Sequence, residues 1–306
     1  MKRFNLFLLL FFLPLLLWGA KPDFLVDSEW VAEHVNDPKT VILEVRYYPH
    51  RYYTVGHIEN ARQVQRFKDL GANNENPTMR FPKKADFEKT LRSWGVNNDS
   101  TIVLYDDSRS ALASRVYFLL DLYGYDMSRV KMLDGGNMEW QTFNEMVKTK
   151  PVVKIGNVKL KEAKPNIVVE WTEVYQKVVA ERDSNIVLID SRPHDHYTGK
   201  EIKHSIQGGH IPGAINVVSL DGTQSGASQQ WKSLEDIAAM YANIPKEKTI
   251  ILYCHDGFRM TLGYMQLKSL GYKNVKLYNG GWGDWGINLS LPTSMGDKPY
   301  DEAFEL

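Results

Sequence analysis

Short runs of β-branched and aromatic residues recur along the chain, each too brief for a helix and each bounded by polar or glycine-containing turns. In the second half "NIVLID", "KTIILYC" and "NVKLY" are apolar on successive positions rather than on alternate ones, the pattern of strands buried on both faces. Between them the period changes to that of amphipathic helices. "SLEDIAAMYANI" has Ser233 placed as an N-cap, and "FRMTLGYMQLKSLGY" is closed by Gly271. In the first half "KKADFEKTLRSWGV" and "SALASRVYFLLDLYGY" supply matching helices. Strands alternating with helices predict an α/β protein, each sheet mostly parallel with helices on both faces.

The pattern also occurs twice. "VILEVR" ending at Arg46 answers "VLIDSR" ending at Arg192. "GHIENA" from Gly56 answers "GHIPGA" from Gly209. "TIVLYDD" from Thr101 answers "TIILYCH" from Thr249, "LYGY" ending at Tyr125 answers "SLGY" ending at Tyr272, and "VKMLDGGNMEW" ending at Trp140 answers "VKLYNGGWGDW" ending at Trp285. The order is kept throughout, at a spacing near half the chain length, which predicts two tandem copies of one domain. The boundaries read as 21–150 for the first copy, 166–293 for the second, a proline-bounded, lysine-rich linker over 151–165, and a polar tail over 294–306 that packs on the first domain or stays mobile.

The first twenty residues stand apart. Lys2 and Arg3 precede "FNLFLLLFFLPLLLWGA", a stretch without charge, which is the layout of a secretory signal. Pro14 interrupts it, against a spanning helix, and Ala20 suits the last position before a cleavage site. The expectation is an exported, periplasmic protein. Bulky Trp18 leaves an uncleaved N-terminal membrane anchor as the alternative.

The remaining composition narrows the function classes. Hydrophobic residues make up 43% and charged residues 24%, ordinary for a protein with sizeable cores. Lys+Arg and Asp+Glu both total 37, so no basic field points to nucleic acid. The eight histidines show neither HExxH nor any paired metal-ligand spacing. A single cysteine, Cys254, excludes an internal disulfide.

Cys254 is predicted at the carboxyl end of the strand "TIILY" and just before a helix, where active sites of parallel sheets form. A thiol there faces unsatisfied N–H groups and the positive end of the helix dipole, and Arg259 adds fixed charge, so the expectation is a thiolate favoured over the thiol. Gly257 frees the intervening "HDGF" to turn backbone N–H groups inward as an anion nest. A small buried hydrophobe is the bland alternative, but strand end, glycine and arginine together favour a reactive sulfur.

The chain resembles the tandem-domain rhodanese sulfurtransferases, among them the thiosulfate and 3-mercaptopyruvate sulfurtransferases. The likeness is carried by "LIDSR" at 188–192, "GHIPGAINV" at 209–217, "YCHDGFR" at 253–259 and "YNGGWGDW" at 278–285, with weaker echoes in the first half, over roughly residues 24–293. The resemblance implies that Cys254 accepts a sulfane sulfur from a small anionic donor as a persulfide and passes it to a thiophilic acceptor, with no metal or organic cofactor. It implies two half-reactions and ping-pong kinetics. It also implies that Arg192 helps bind the anionic substrate, the other reading being an ion pair with a neighbouring loop. The first copy has Asp106 where the cysteine should be, and a carboxylate cannot carry a persulfide, so that copy is expected to be inert.

Several residues depart from familiar members. His196 stands where a second arginine is usual; it offers an anion a positive charge only at low pH, and a surface histidine without a role is the other reading. His255, Asp256 and Phe258 match neither the basic loops of thiosulfate enzymes nor the small-residue loops of mercaptopyruvate enzymes. They are therefore expected, with Gly257 and Arg259, to shape donor choice, and thiosulfate is the first candidate. His57 and His210 are expected to fix loops, Asp190 to accept backbone hydrogen bonds, and Trp282 and Trp285 to anchor the core. A cysteine phosphatase of the cell-cycle type, which shares the fold, needs a loop one residue longer than the four residues between Cys254 and Arg259. A non-enzymatic alternative is an exported sulfur carrier that docks a protein acceptor.

Overall fold

The structure is a computed structural model describing residues 19–72 and 79–301. The apolar stretch read as a signal lies outside the described residues up to position 18, as do 302–306 of the tail. No helix among the described residues is long and apolar enough to cross a membrane.

Each copy forms a five-stranded sheet whose strands are all parallel. In the first, β1 (Leu25–Val26), β2 (Thr40–Val45), β3 (Arg62–Val64), β4 (Thr101–Asp106) and β5 (Val130–Leu133) lie in the order β1-β5-β4-β2-β3. In the second, β6 (Val168–Val169), β7 (Ile186–Asp190), β8 (Ala214–Asn216), β9 (Thr249–Tyr253) and β10 (Val275–Tyr278) repeat it as β6-β10-β9-β7-β8. The residues of β2 and β9 are almost all buried, which is why they read as unbroken apolar runs rather than alternations. The chain leaves β7 toward one sheet edge and β9 toward the other. The carboxyl ends of these two neighbours therefore form the switch point at which doubly wound sheets hold ligands.

The domains share their packing. The helix that follows the first copy's loop, Ala113–Leu122, lies against the helix that follows the second copy's loop, Arg259–Ser269, and one hydrophobic cluster runs through both. Phe118 meets Tyr264 edge-on at 5.0 Å, the Tyr264 hydroxyl donates to Asp121 Oδ2 at 2.5 Å, and the Ser114 and Thr261 hydroxyls lie 2.8 Å apart. Arg109, at the tip of the first copy's loop, donates to the Leu220 and Thr223 carbonyls of the second.

The linker is not a loose tether. Gly156, Val158, Lys161 and Lys164 donate their N–H groups to the carbonyls of Arg92, Val96, Tyr123 and Leu122, and Val158 is fully buried, so residues 156–164 form a strap on the first domain. The tail packs on the second domain, not on the first: His210 and Ser294 exchange backbone hydrogen bonds at 2.9 Å, and Gly213 N–H donates to Pro299 O at 2.7 Å. The reason is local. The buried His210 ring places Nε2 3.0 Å from the Lys298 carbonyl, and no other described group offers that nitrogen a closer partner. Ending the chain at Thr293 is expected to lower the urea midpoint by about 2 kcal/mol of stability; an unchanged midpoint shows that the tail is not part of the fold.

Candidate active site

Cys254 leaves the end of β9 and is fully buried. The loop around it is set from below by the turn that starts helix Gly281–Trp285. Trp282 N–H donates to Cys254 O at 2.8 Å and Gly283 N–H to His255 O at 2.9 Å, so the loop carbonyls point down into the domain. Gly281 allows this approach, because a Cβ there would sit 2.4 Å from Cys254 O. From within the loop, Gly257 N–H donates to Cys254 Sγ at 3.1 Å. Gly257 has φ +86°, which favours glycine.

The first copy shows what this loop design holds. Asp106 occupies the position of Cys254 in the repeat and is 1% exposed. Its Oδ1 accepts from Ser108 and Ser110 N–H at 2.9 Å, and its Oδ2 from Leu112 and Ala113 N–H at 2.8 Å. Four backbone donors thus close around one built-in carboxylate. Burial still pushes the carboxyl up to about 6, against the pull of these N–H groups.

In the second copy the resting thiol does not have the expected character. Burial raises its pKa above the ordinary value, and nearby Asp256 raises it further. The Met260 N–H, Arg259 and the Gly257 N–H pull the other way without prevailing. The thiolate expected from the helix start and Arg259 is therefore corrected to a protonated thiol at neutral pH, because desolvation outweighs two donors and one cation. Among the described residues the Arg259 guanidinium has no hydrogen-bond or ion-pair partner, and its charge acts on Cys254, His255 and His196. His255 is held below the usual histidine range by burial first, then by Arg192, His204 and Arg259, with Asp256 opposing. His204, in a left-handed conformation at φ +52°, places its ring 5.9 Å from that of His255.

The other expected site residues divide. Arg192 is 2% exposed; its Nε and Nη2 donate to both Asp190 oxygens at 2.6–3.0 Å and Nη2 also to Gly209 O at 2.6 Å, with the guanidinium 4.3 Å from the Trp282 ring. The first copy repeats this bracket without a catalytic cysteine: Arg46 donates to Glu44 Oε1 at 2.5 Å and to Gly56 O at 2.6 Å. Arg192 therefore sits as the ion pair that ties β7 to the glycine-histidine turn, rather than as an open anion receptor. His196 is mostly buried with Nε2 3.0 Å from Glu201 Oε2, so it is neither a bare surface residue nor free to meet an anion. Phe258 is 3% exposed and turns its ring to the domain interface, 5.1 Å from the Arg115 guanidinium. His57 and His210 each stack on a tyrosine, Tyr52 and Tyr197, at 3.8 Å and fix their loops. Trp282 and Trp285 are buried.

Two residues are missing from the sequence expectations: His204, which no motif marks, and Arg115. Arg115, from the first domain, is fully buried beside the Cys254 loop and donates Nη1 to Asp256 O at 3.2 Å. Its signal was an arginine inside an otherwise apolar helix, "SALASRVYFLLDLYGY". Among the described residues no cluster of three or more His, Cys, Asp or Glu is placed to hold a metal ion.

Two outcomes follow from this geometry. Asp256→Asn removes a like charge beside the thiol, so the pH midpoint for alkylation of Cys254 by iodoacetamide falls by about one pH unit; a midpoint that stays or rises refutes the electrostatic account. Arg192→Met leaves Asp190 buried without its partner and costs about 3–5 kcal/mol in urea unfolding; a loss of activity at unchanged stability would instead mark a binding residue.

Comparison with known proteins agrees with this architecture. Residues 27–143 and 173–288 each match the model of the Rhodanese-like domain. The putative thiosulfate sulfurtransferase of Mycolicibacterium smegmatis is 32% identical over 90% of this chain and 99% of its own. The sulfur carrier protein TtuD of Thermus thermophilus is 30% identical over 91% and 99%. The crystal structure of SseA from Escherichia coli, described as a 3-mercaptopyruvate sulfotransferase, superposes with a TM-score of 0.72 at 25% identity over 85% of this chain and 98% of that one. With two matched domains, a doubled parallel sheet and the lone cysteine at the second switch point, the chain belongs to the tandem-domain rhodanese family of sulfurtransferases.

Proposed function

We propose that the protein moves a sulfane sulfur from a small anionic donor, thiosulfate first and 3-mercaptopyruvate second, to a thiophilic acceptor such as cyanide or a thiol, through a persulfide on Cys254. The observation that carries this reading is the inert loop of the first copy, where four backbone N–H groups surround the Asp106 carboxylate. The equivalent, shorter loop of the second copy has a sulfur at its base, with Gly257 N–H already on Sγ. It is suited to a negative charge that appears when the thiol loses its proton and that the persulfide then keeps.

With thiosulfate, Cys254 loses its proton to water and the thiolate attacks the outer sulfur. The new sulfur–sulfur bond forms as the bond to the sulfonate sulfur breaks, and sulfite leaves with the bonding pair. The persulfide keeps one negative charge at its terminal sulfur. An acceptor nucleophile then attacks that sulfur and returns the thiolate. Arg259, His255 and His204 put cationic or protonatable groups where the anionic donor arrives, with Asp256 opposing them, an arrangement that favours small anions over neutral donors.

A carrier role for a docked protein acceptor is the second reading. It is favoured by Ile202 and Ile206, 53% and 64% exposed on either side of His204, and by the name of the Thermus relative. The basic and then apolar N-terminus supports export, to the periplasm if the chain is cut after Ala20 and to a membrane-tethered position if it is not.

Mass spectrometry after incubation with thiosulfate or 3-mercaptopyruvate is expected to find one added sulfur on Cys254, removed by cyanide with thiocyanate as product. Cys254→Ser should abolish both. Full transfer by Cys254→Ser sinks the mechanism, whereas adduct formation with negligible turnover on every small acceptor selects the carrier role.

A further inference from the structure

The inert domain has a direct line to the reactive sulfur. Arg115 lies on helix Ala113–Leu122 of the first domain and is fully buried, with four backbone carbonyls around its guanidinium. Nε donates to Leu70 O at 2.9 Å, Nη2 to Met79 O at 2.5 Å and to Arg80 O at 3.2 Å, and Nη1 crosses the interface to Asp256 O at 3.2 Å. The rings of Phe81 and Phe258 flank it at 4.6 and 5.1 Å. Gly257 is part of the same fit, since a Cβ there would stand 2.3 Å from Nη1.

The Asp256 carbonyl and the Gly257 N–H belong to one peptide group. In a trans peptide the C=O and N–H point in opposite directions, so fixing the oxygen aims the hydrogen. Arg115 holds the oxygen, and the N–H at the other end of the same plane is the one that donates to Cys254 Sγ at 3.1 Å. A cation on the carbonyl also polarises the amide and strengthens its donor. We infer that Arg115 is a positioning residue for Cys254: the inert domain uses it to lock the 256–257 peptide with its N–H on the reactive sulfur.

The arrangement is one-sided. Counted from the matching helix ends, Tyr125 and Tyr272, the repeat puts Leu262 at the position of Arg115 in the second domain, so no arginine reaches back to the first domain's loop. That loop does not need one, since Asp106 organises its N–H groups from inside. Where the internal anion has been replaced by a neutral thiol, the ordering comes from the neighbouring domain. Burial lowers the Arg115 pKa to about 10 even with the Asp256 charge acting in its favour. Phe258 covers the guanidinium and keeps water from it.

The inference rests on Cys254 being the reacting thiol, and its test uses that thiol without requiring the transfer reaction. In the full-length protein, Arg115→Met removes the donor, whereas Arg115→Lys keeps a cation that cannot reach all four carbonyls at once. The pH midpoint of Cys254 alkylation by iodoacetamide is expected to rise by about one pH unit in Arg115→Met and by about half that in Arg115→Lys. With thiosulfate, kcat should fall about tenfold in Arg115→Met at little change in KM. A folded variant with the wild-type midpoint, or a rate loss confined to KM, overturns the assignment. If Arg115→Met does not fold, Arg115→Lys decides by the same midpoint. Failure of sulfur transfer in the wild type with a shifted midpoint in the variants would remove the proposed reaction and leave the positioning role standing.

Discussion

A negative charge buried in a protein survives only if polar groups already point at it, and backbone N–H groups are the donors a strand-to-helix turn has to offer. Both copies of this domain are organised around that constraint. Loop carbonyls are drawn down, by the Gly281–Gly283 turn in the second copy, so that loop N–H groups face the end of the central strand. In one copy the charge is permanent and belongs to Asp106. In the other the loop surrounds a sulfur whose pKa burial raises, so that a negative charge there comes only with loss of the thiol proton.

The two copies have divided the remaining work. The first carries no thiol at the equivalent position, and its loop has become an interface element through Arg109, while its following helix sends Arg115 to the active loop. The second keeps the cysteine, and its Arg192–Asp190 pair copies the Arg46–Glu44 pair of the first. Features present in both copies therefore report on the fold, and features present in one report on the site. By that criterion the acid–arginine bracket and the stacked histidines are structural, whereas Cys254, Arg259 and the His204–His255 pair are particular to the second copy.

Much of this was legible in the sequence, because strands buried on both faces, glycine-closed helices and an ordered repeat are local patterns that the tertiary structure keeps. The position of Cys254 followed from the same patterns. Two kinds of fact were not local. The thiol's protonation depends on how completely β9 and the interface helices exclude water, which no spacing of residues encodes. The partners of Arg192 and Phe258 depend on how neighbouring segments fold back, and in both cases the partner lies inside the protein. Arg115 was visible as a charge in an apolar helix. Its meaning required knowing that this helix faces the other domain.

The complete burial of Cys254 has a consequence for the lifetime of the protein as well as for its reaction. Oxidation to sulfenic acid and exchange with foreign disulfides both begin with an exposed thiolate. A protonated sulfur beneath a closed loop offers neither, and with no second cysteine in the chain there is no internal thiol to trap it. Burial and protonation together therefore make the sulfur slow toward foreign electrophiles in the closed loop.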